Sequence, residues 1–364
     1  MNFVPLEYYN VIFHYLVLFL VFVTYFRSIQ TSLDSKSNIK TINSFGILIL
    51  IILLFYTGFR PISYQFGDMM NYSFQFADFQ NGDLPVFKKD ILFEWLMYFF
   101  SSFSSANFFF FFCAVLYITP LYFFSKKVFK EYWFYSFLIL IASFSFWAYG
   151  TNGIRNGIAT SIFLLAFCQR NVIFKILFLA TAVLIHQSIY IVLLAYVLTL
   201  FHKNNKTYFF FWLLSIPVSI VIGSVIQNVF LNIGFGEKTD FEGYIGAFDQ
   251  DSEGVVLKLG FRWDFIVYSA SAVFAAWFYI YKKKFNDYFY IQLVNVYLTV
   301  NAFWILVIRA NYSNRFAYLS WFMMGIIIIY PLIKVKFYKN QHQVIGLIIL
   351  GYCLFSFLLN VILV

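Results

Sequence analysis

Five arginines, one histidine and a few carboxylates are the side chains in this sequence with the means to do chemistry. Arg60, Arg155, Arg262, Arg309 and Arg315 each stand at or near the end of an apolar run. Arginine carries a planar fork of donors that matches phosphate or carboxylate. A span-end arginine also reaches toward lipid headgroups, which accounts well for Arg262 beside Trp263. Arg155 lies in Tyr149-Gly150-Thr151-Asn152-Gly153-Ile154-Arg155-Asn156-Gly157, where glycines and asparagines open a helix. A helix start offers amides and a positive dipole end, so an anion can dock there with arginine completing its shell. A bare turn with glycines for tight packing is the alternative. Arg309 and Arg315 bracket a short turn, and a diphosphate would satisfy both charges. His186 lies in Ile185-His186-Gln187-Ser188-Ile189, a polar group inside an apolar stretch that demands partners. Its near-neutral titration suits it to donate a hydrogen bond to a diphosphate or to accept a hydroxyl proton. Asp68, in Gly67-Asp68-Met69-Met70-Asn71-Tyr72, is placed either to act as a base or to orient Arg60, and Glu94 is the other candidate carboxylate. Both also fit a plain surface charge. No phosphate-binding glycine loop, zinc-protease helix or serine-hydrolase elbow occurs.

The elements that must position these groups are membrane helices. Of 364 residues 62% are hydrophobic and only 11% charged, a balance foreign to a water-soluble chain of this length. Apolar runs near 8–26, 42–59, 107–125, 132–149, 153–169, 172–185, 187–201, 208–231, 263–281, 288–308, 316–333 and 344–362 predict an all-α bundle of about twelve spans in one integral domain, 1–364. The 172–201 pair is short enough to be either two spans or a re-entrant hairpin. The first run lacks a basic leader and a cleavage site, so it reads as a retained span.

Lysine and arginine collect on alternate connections, at Arg27, Lys36 and Lys40, at Lys126, Lys127 and Lys130, and at four later places. The positive-inside rule puts those connections in the cytoplasm and both termini outside. The outward face then holds two long connections, 60–106 and 232–262, and the arginines with His186, Asp68 and Glu94. Ile91–Phe100 is apolar but too short to span, which predicts an interfacial or re-entrant helix. The acidic 232–262 connection suits either sugar binding or a flexible loop. The net charge of +9 is scattered over short connections with no recognition motif, which argues against nucleic acid. Cys113, Cys168 and Cys353 lie inside apolar runs without metal-ligand spacing.

On Gly58-Phe59-Arg60 followed by Gly67-Asp68 and Tyr72, then Glu94, Arg155-Asn156-Gly157-Ile158-Ala159, His186-Gln187-Ser188 and a late arginine, either Arg309 or Arg315, the chain resembles the EpsG family within the Wzy-type bacterial polysaccharide polymerases. The ordered set covers most of the chain. The resemblance implies a GT-C-like glycosyltransferase of the bacterial inner membrane. It would polymerise undecaprenyl-diphosphate-linked oligosaccharide units of an O-antigen, capsule or exopolysaccharide at the periplasmic face. A flippase and a chain-length regulator are the implied partners, and no cofactor, metal or nucleotide sugar is needed. Arg155 and Arg315 would hold the diphosphate with Arg60 and Arg309 assisting, and His186 or Asp68 would activate the acceptor hydroxyl. A transporter of the same glycolipid and an O-antigen ligase are the rival readings. A transporter predicts inverted repeats and midplane charges, and neither is visible in the sequence.

Overall fold

The structure, a computed structural model, describes residues 4–232, 261–309 and 313–362, and every regular element among them is helical. The acidic stretch 233–260 and the 310–312 turn lie outside the described residues. Among the described residues eight continuous helical runs are long and apolar enough to cross a bilayer. One of them, Ala106–Ile141, is a hairpin. It bends at Lys130, whose φ is +52°, and its limbs run antiparallel, with Ser125 Oγ 3.0 Å from Ser136 Oγ and the Tyr117 hydroxyl donating to the Phe146 carbonyl at 3.2 Å. Counting the hairpin as two and adding the shorter apolar helices Ile154–Phe167, Val172–Ile185 and Ile189–Phe201 recovers the twelve apolar segments. A polytopic helix bundle is therefore the fold.

The chain divides into two compact units, one of residues 1–190 and 329–364 and the other of residues 191–328. The first unit contains α1 (Tyr9–Gln30), α2 (Lys36–Gly58), α3 (Met69–Gln80), α4 (Ile91–Ser101), α5 (Ala106–Phe129), α6 (Trp133–Ile141), α7 (Phe144–Thr151), α8 (Ile154–Phe167) and α9 (Val172–Ile185). α10 (Ile189–Phe201) leads out of it, and the C-terminal segment returns to it. Helix starts follow the capping residues. Ser35 Oγ accepts from Asn38 N at 3.4 Å and Asn171 Oδ1 from Ile173 N at 2.8 Å, each satisfying an amide that the first turn leaves unpaired. The Ser35 cap starts α2 six residues before the expected 42, so Lys36 and Lys40 ride on its first turns instead of lying in a connection. The single helix expected over 132–149 is broken where Ser143 turns extended, with ψ of 148°, between α6 and α7.

The connections of this unit gather at two ends. At one, Arg27 Nε donates to Asn38 Oδ1 at 2.7 Å, the Tyr132 hydroxyl to Asp34 at 2.6 Å, and Lys334 Nζ to the Val128 carbonyl, so the lysine-bearing segments meet there. α2 then runs from Lys36 at this end to Gly58 at the other, about 35 Å at 1.5 Å per residue. At that second end α3 and α4 form a short helical pair, packed by the edge-on rings of Tyr72 and Phe93, 5.4 Å apart, and of Phe79 and Tyr98, 5.6 Å apart.

The second unit contains α11 (Asn205–Asn232), α12 (Trp263–Trp277), α13 (Tyr288–Leu306) and α14 (Asn314–Trp321). A buried polar ladder joins all four. Trp212 Nε1 donates to Asn301 Oδ1 at 2.7 Å, Asn301 Nδ2 donates to Ser269 Oγ at 3.2 Å and to Ser320 Oγ at 2.9 Å, and Trp321 Nε1 donates to Ser269 Oγ at 2.7 Å. In apolar surroundings each such group must find a partner on a neighbouring helix, so the ladder fixes which helices pack together. The chain continues through α15 (Met324–Lys334) to α16 (Gln341–Phe357), which packs on α1 in the first unit.

Candidate active site

The site is organised by a residue that sequence reasoning missed. Asp90 precedes α4 in a left-handed conformation, with φ of +51°, a region in which aspartate is one of the few tolerated side chains. Only 4% of its side chain is exposed. One oxygen, Oδ2, takes Arg155 Nη1 at 2.6 Å and His186 Nδ1 at 2.8 Å, while Oδ1 accepts the Gln187 amide at 2.9 Å. Three segments far apart in sequence therefore converge on one carboxylate. Burial alone would raise the Asp90 pKa; the hydrogen bond from His186, with the Arg155 charge and the Gln187 amide, outweighs it and holds the carboxyl below its ordinary range.

Each partner is placed by local structure. His186 closes α9 with an extended backbone, φ −155° and ψ 122°, so its side chain stands at the break before α10. Ser188 fixes that break by donating to Asn156 Oδ1 at 2.5 Å, on the first turn of α8. Arg155 stands on the same turn, and its Nε donates to the Tyr72 hydroxyl at 2.9 Å. Gly157 lets α8 start against α7, since a Cβ there would lie 2.6 Å from the Tyr149 carbonyl oxygen. Tyr72 comes from α3, and burial keeps its phenol protonated despite the arginine.

The chemistry follows from donor and acceptor rules. An ionised carboxylate only accepts, so the proton between His186 and Asp90 sits on Nδ1 and makes Nε2 the basic nitrogen. Arg155 is about a third exposed, and its N–H groups beyond those given to Asp90 and Tyr72 have no partner among the described residues. One buried anion thus aligns a base and a cation side by side, the arrangement that proton transfer coupled to anion stabilisation requires.

Asp68 lies beside the cluster, and the other expected residues fall elsewhere. Asp68 donates its amide to Asn152 Oδ1 at 3.0 Å, and its charge bears on Tyr72 and Arg155. Glu94 holds the loop before α4, accepting the Val86 and Phe87 amides at 2.9 and 3.0 Å. Arg60 is 1% exposed, and its fork bridges two helix C-termini, donating to the carbonyls of Thr57 on α2 and Thr151 on α7. That is the end of a helix where a cation is favoured. Arg60 thereby ties the C-termini of α2 and α7 together at the turn that leads into Arg155. In the second unit Arg309 Nη2 donates to the Ile220 carbonyl at 3.3 Å, and Arg315 stands on the first turn of α14 with its charge bearing on Tyr318. Arg262, expected to reach for headgroups, is paired in two-pronged fashion with Asp264 at 2.9 and 2.6 Å.

The family model described as the EpsG family matches residues 43–363, most of the chain. The chain belongs to the EpsG family. Arg60, Asp68, Tyr72, Glu94, Arg155, His186 and Arg315, on which the sequence resembles the family, all lie inside the matched span, as does Asp90. EpsG-like proteins are Wzy-type polysaccharide polymerases, so membership together with the multi-pass helix bundle supports a membrane protein of polysaccharide polymerisation. No curated protein and no solved structure matches the chain.

Proposed function

We propose that this EpsG-family protein joins undecaprenyl-diphosphate-linked oligosaccharide units at the periplasmic face of the bacterial inner membrane. The observation that carries the reading is the single Asp90 oxygen shared by Arg155 at 2.6 Å and His186 at 2.8 Å. In the reaction a hydroxyl oxygen of the acceptor unit bonds to the anomeric carbon of the donor chain, and the bond from that carbon to the phosphate oxygen breaks. His186 Nε2 takes the hydroxyl proton. Undecaprenyl diphosphate leaves as an anion, and Arg155 stabilises it with its remaining N–H groups beside the amides that open α8. The energy resides in the glycosyl phosphate, so no nucleotide enters. A flippase would supply the lipid-linked unit and a chain-length regulator would limit the product. For Arg309 and Arg315 a part in diphosphate binding rests on the family resemblance alone.

The test is purified protein with one defined lipid-linked repeat unit and no nucleotide. Ladders of increasing length, absent with His186→Ala, are the expected result. Movement of the lipid across the membrane without elongation would establish a transporter. Transfer to a different lipid acceptor without elongation would establish a ligase.

A further inference from the structure

At the lysine-bearing end of the first unit, the 28–34 turn, the Tyr132 turn and residues 332–343 enclose a cavity of about 450 Å³, within the size range of small-ligand sites. Its charge is one-sided. Lys334, Lys336 and Lys339 line it against one carboxylate, Asp34, which is already engaged by the Tyr132 hydroxyl at 2.6 Å. Lys336 and Lys339 have no ion-pair partner among the described residues. The walls are built in advance. Gln341 Oε1 accepts the Phe337 and Tyr338 amides at 3.1 and 3.2 Å, and its Nε2 donates to the Leu332 and Val335 carbonyls. His342 is locked between the Thr31 carbonyl and the Tyr135 hydroxyl, each 2.6 Å away. Apolar side chains such as Ile29 and Leu332 share the lining with the lysines, so the cavity suits a molecule with an anionic head and an apolar body. It lies at the Lys36 end of α2, where connections between spans meet, and basic pockets between spans are a recurrent solution for anionic headgroups.

We propose that this cavity binds the phosphate of an anionic phospholipid, at a site separated from the Asp90 cluster by the length of α2. Native mass spectrometry of the purified full chain with added phosphatidylglycerol or phosphatidylcholine tests it. The wild type should retain phosphatidylglycerol preferentially. The double variant Lys336→Gln/Lys339→Gln should bind it about tenfold more weakly, each lysine near a headgroup contributing a few fold, whereas Lys336→Arg/Lys339→Arg should keep the affinity. Equal retention of the two lipids, or a glutamine variant that binds like the wild type, overturns the proposal. Inorganic phosphate binding as tightly as the lipid would overturn the lipid source and leave a soluble phosphate anion as the ligand. An unchanged melting temperature in the variants separates lost binding from lost fold.

Discussion

The chemistry of a single carboxylate decides how the cluster behaves when altered. Asp90→Asn keeps the shape but removes the charge that fixes the His186 tautomer, so polymerisation by purified protein is expected to fall by about 10²–10⁴, the usual span for a disabled acid–base group. Asp90→Ala leaves Arg155 and His186 without their shared acceptor, and because Arg155 is about a third exposed the cost in stability should be about 1–3 kcal/mol. Glu94→Gln should remain within a few fold of wild type, because the remaining side-chain oxygen still accepts one of the Val86 and Phe87 amides and neither bond involves Asp90. A loss equal to that of Asp90→Asn would return Glu94 to the catalytic group. The titration has a definite sign. The folded pKa of Asp90 is depressed, so its contribution to stability is complete above the ordinary carboxylate value of about 4 and is lost only as pH falls through a lower one. Isotope-edited infrared spectra should therefore show an ionised Asp90 carboxylate at pH 5, and a protonated band at that pH would contradict the geometry. Arg155 and His186 were legible in the sequence because polar groups inside apolar runs stand out. Asp90 was not. It follows Lys88 and Lys89 and reads as one more solvated loop charge, and its partners lie 65 and 96 residues away, beyond any local pattern.

Helices and turns set the precision of the cluster. The Gly67-Asp68 pair, noticed in the sequence as a possible base, has its clearest role in the backbone. Gly67 has φ of +59°, and a Cβ there would lie 2.4 Å from Asn152 Oδ1, the atom that accepts the Asp68 amide. Gly67→Ala should therefore push Asn152 away and loosen the turn between α7 and α8. Thermal unfolding in detergent should show a loss of about 1–3 kcal/mol, typical of a side chain forced into that backbone region. Apolar runs located nearly all the helices, since the need to satisfy every backbone group within the bilayer leaves little else for such a stretch to do. Interruptions within the runs were harder to see. Nothing in Ile141-Ala142-Ser143-Phe144 breaks the hydropathy, yet the chain stops and restarts there, and α4 was visible only as a segment too short to span. Arg60 shows the same limit. Its type suggested phosphate, and nothing in its sequence neighbourhood announced the open C-termini of α2 and α7 that its fork meets.

For the molecule as a whole, the distribution of lysines predicts which way the bundle faces. Within the first unit Lys36 and Lys334 lie at one end of α2 and Arg60 at the other. In a variant lacking Cys113, Cys168 and Cys353, an impermeant maleimide added to intact cells should label Asp83→Cys in the exposed loop before α4 and leave Lys339→Cys untouched. The reverse pattern would put the chemistry on the cytoplasmic side and end the proposal of a periplasmic polymerase.

The ladder through Asn301 also bears on how the protein is made. α13 leaves the ribosome before α14, so for a time Asn301 has Trp212 and Ser269 on earlier helices but no Ser320. During that interval the half-finished bundle carries an amide hydrogen with nowhere to go in hydrocarbon. Such a defect is a signal that cellular surveillance can detect. In pulse-chase, a nascent product ending after Leu306 should be degraded faster than one ending after Lys334.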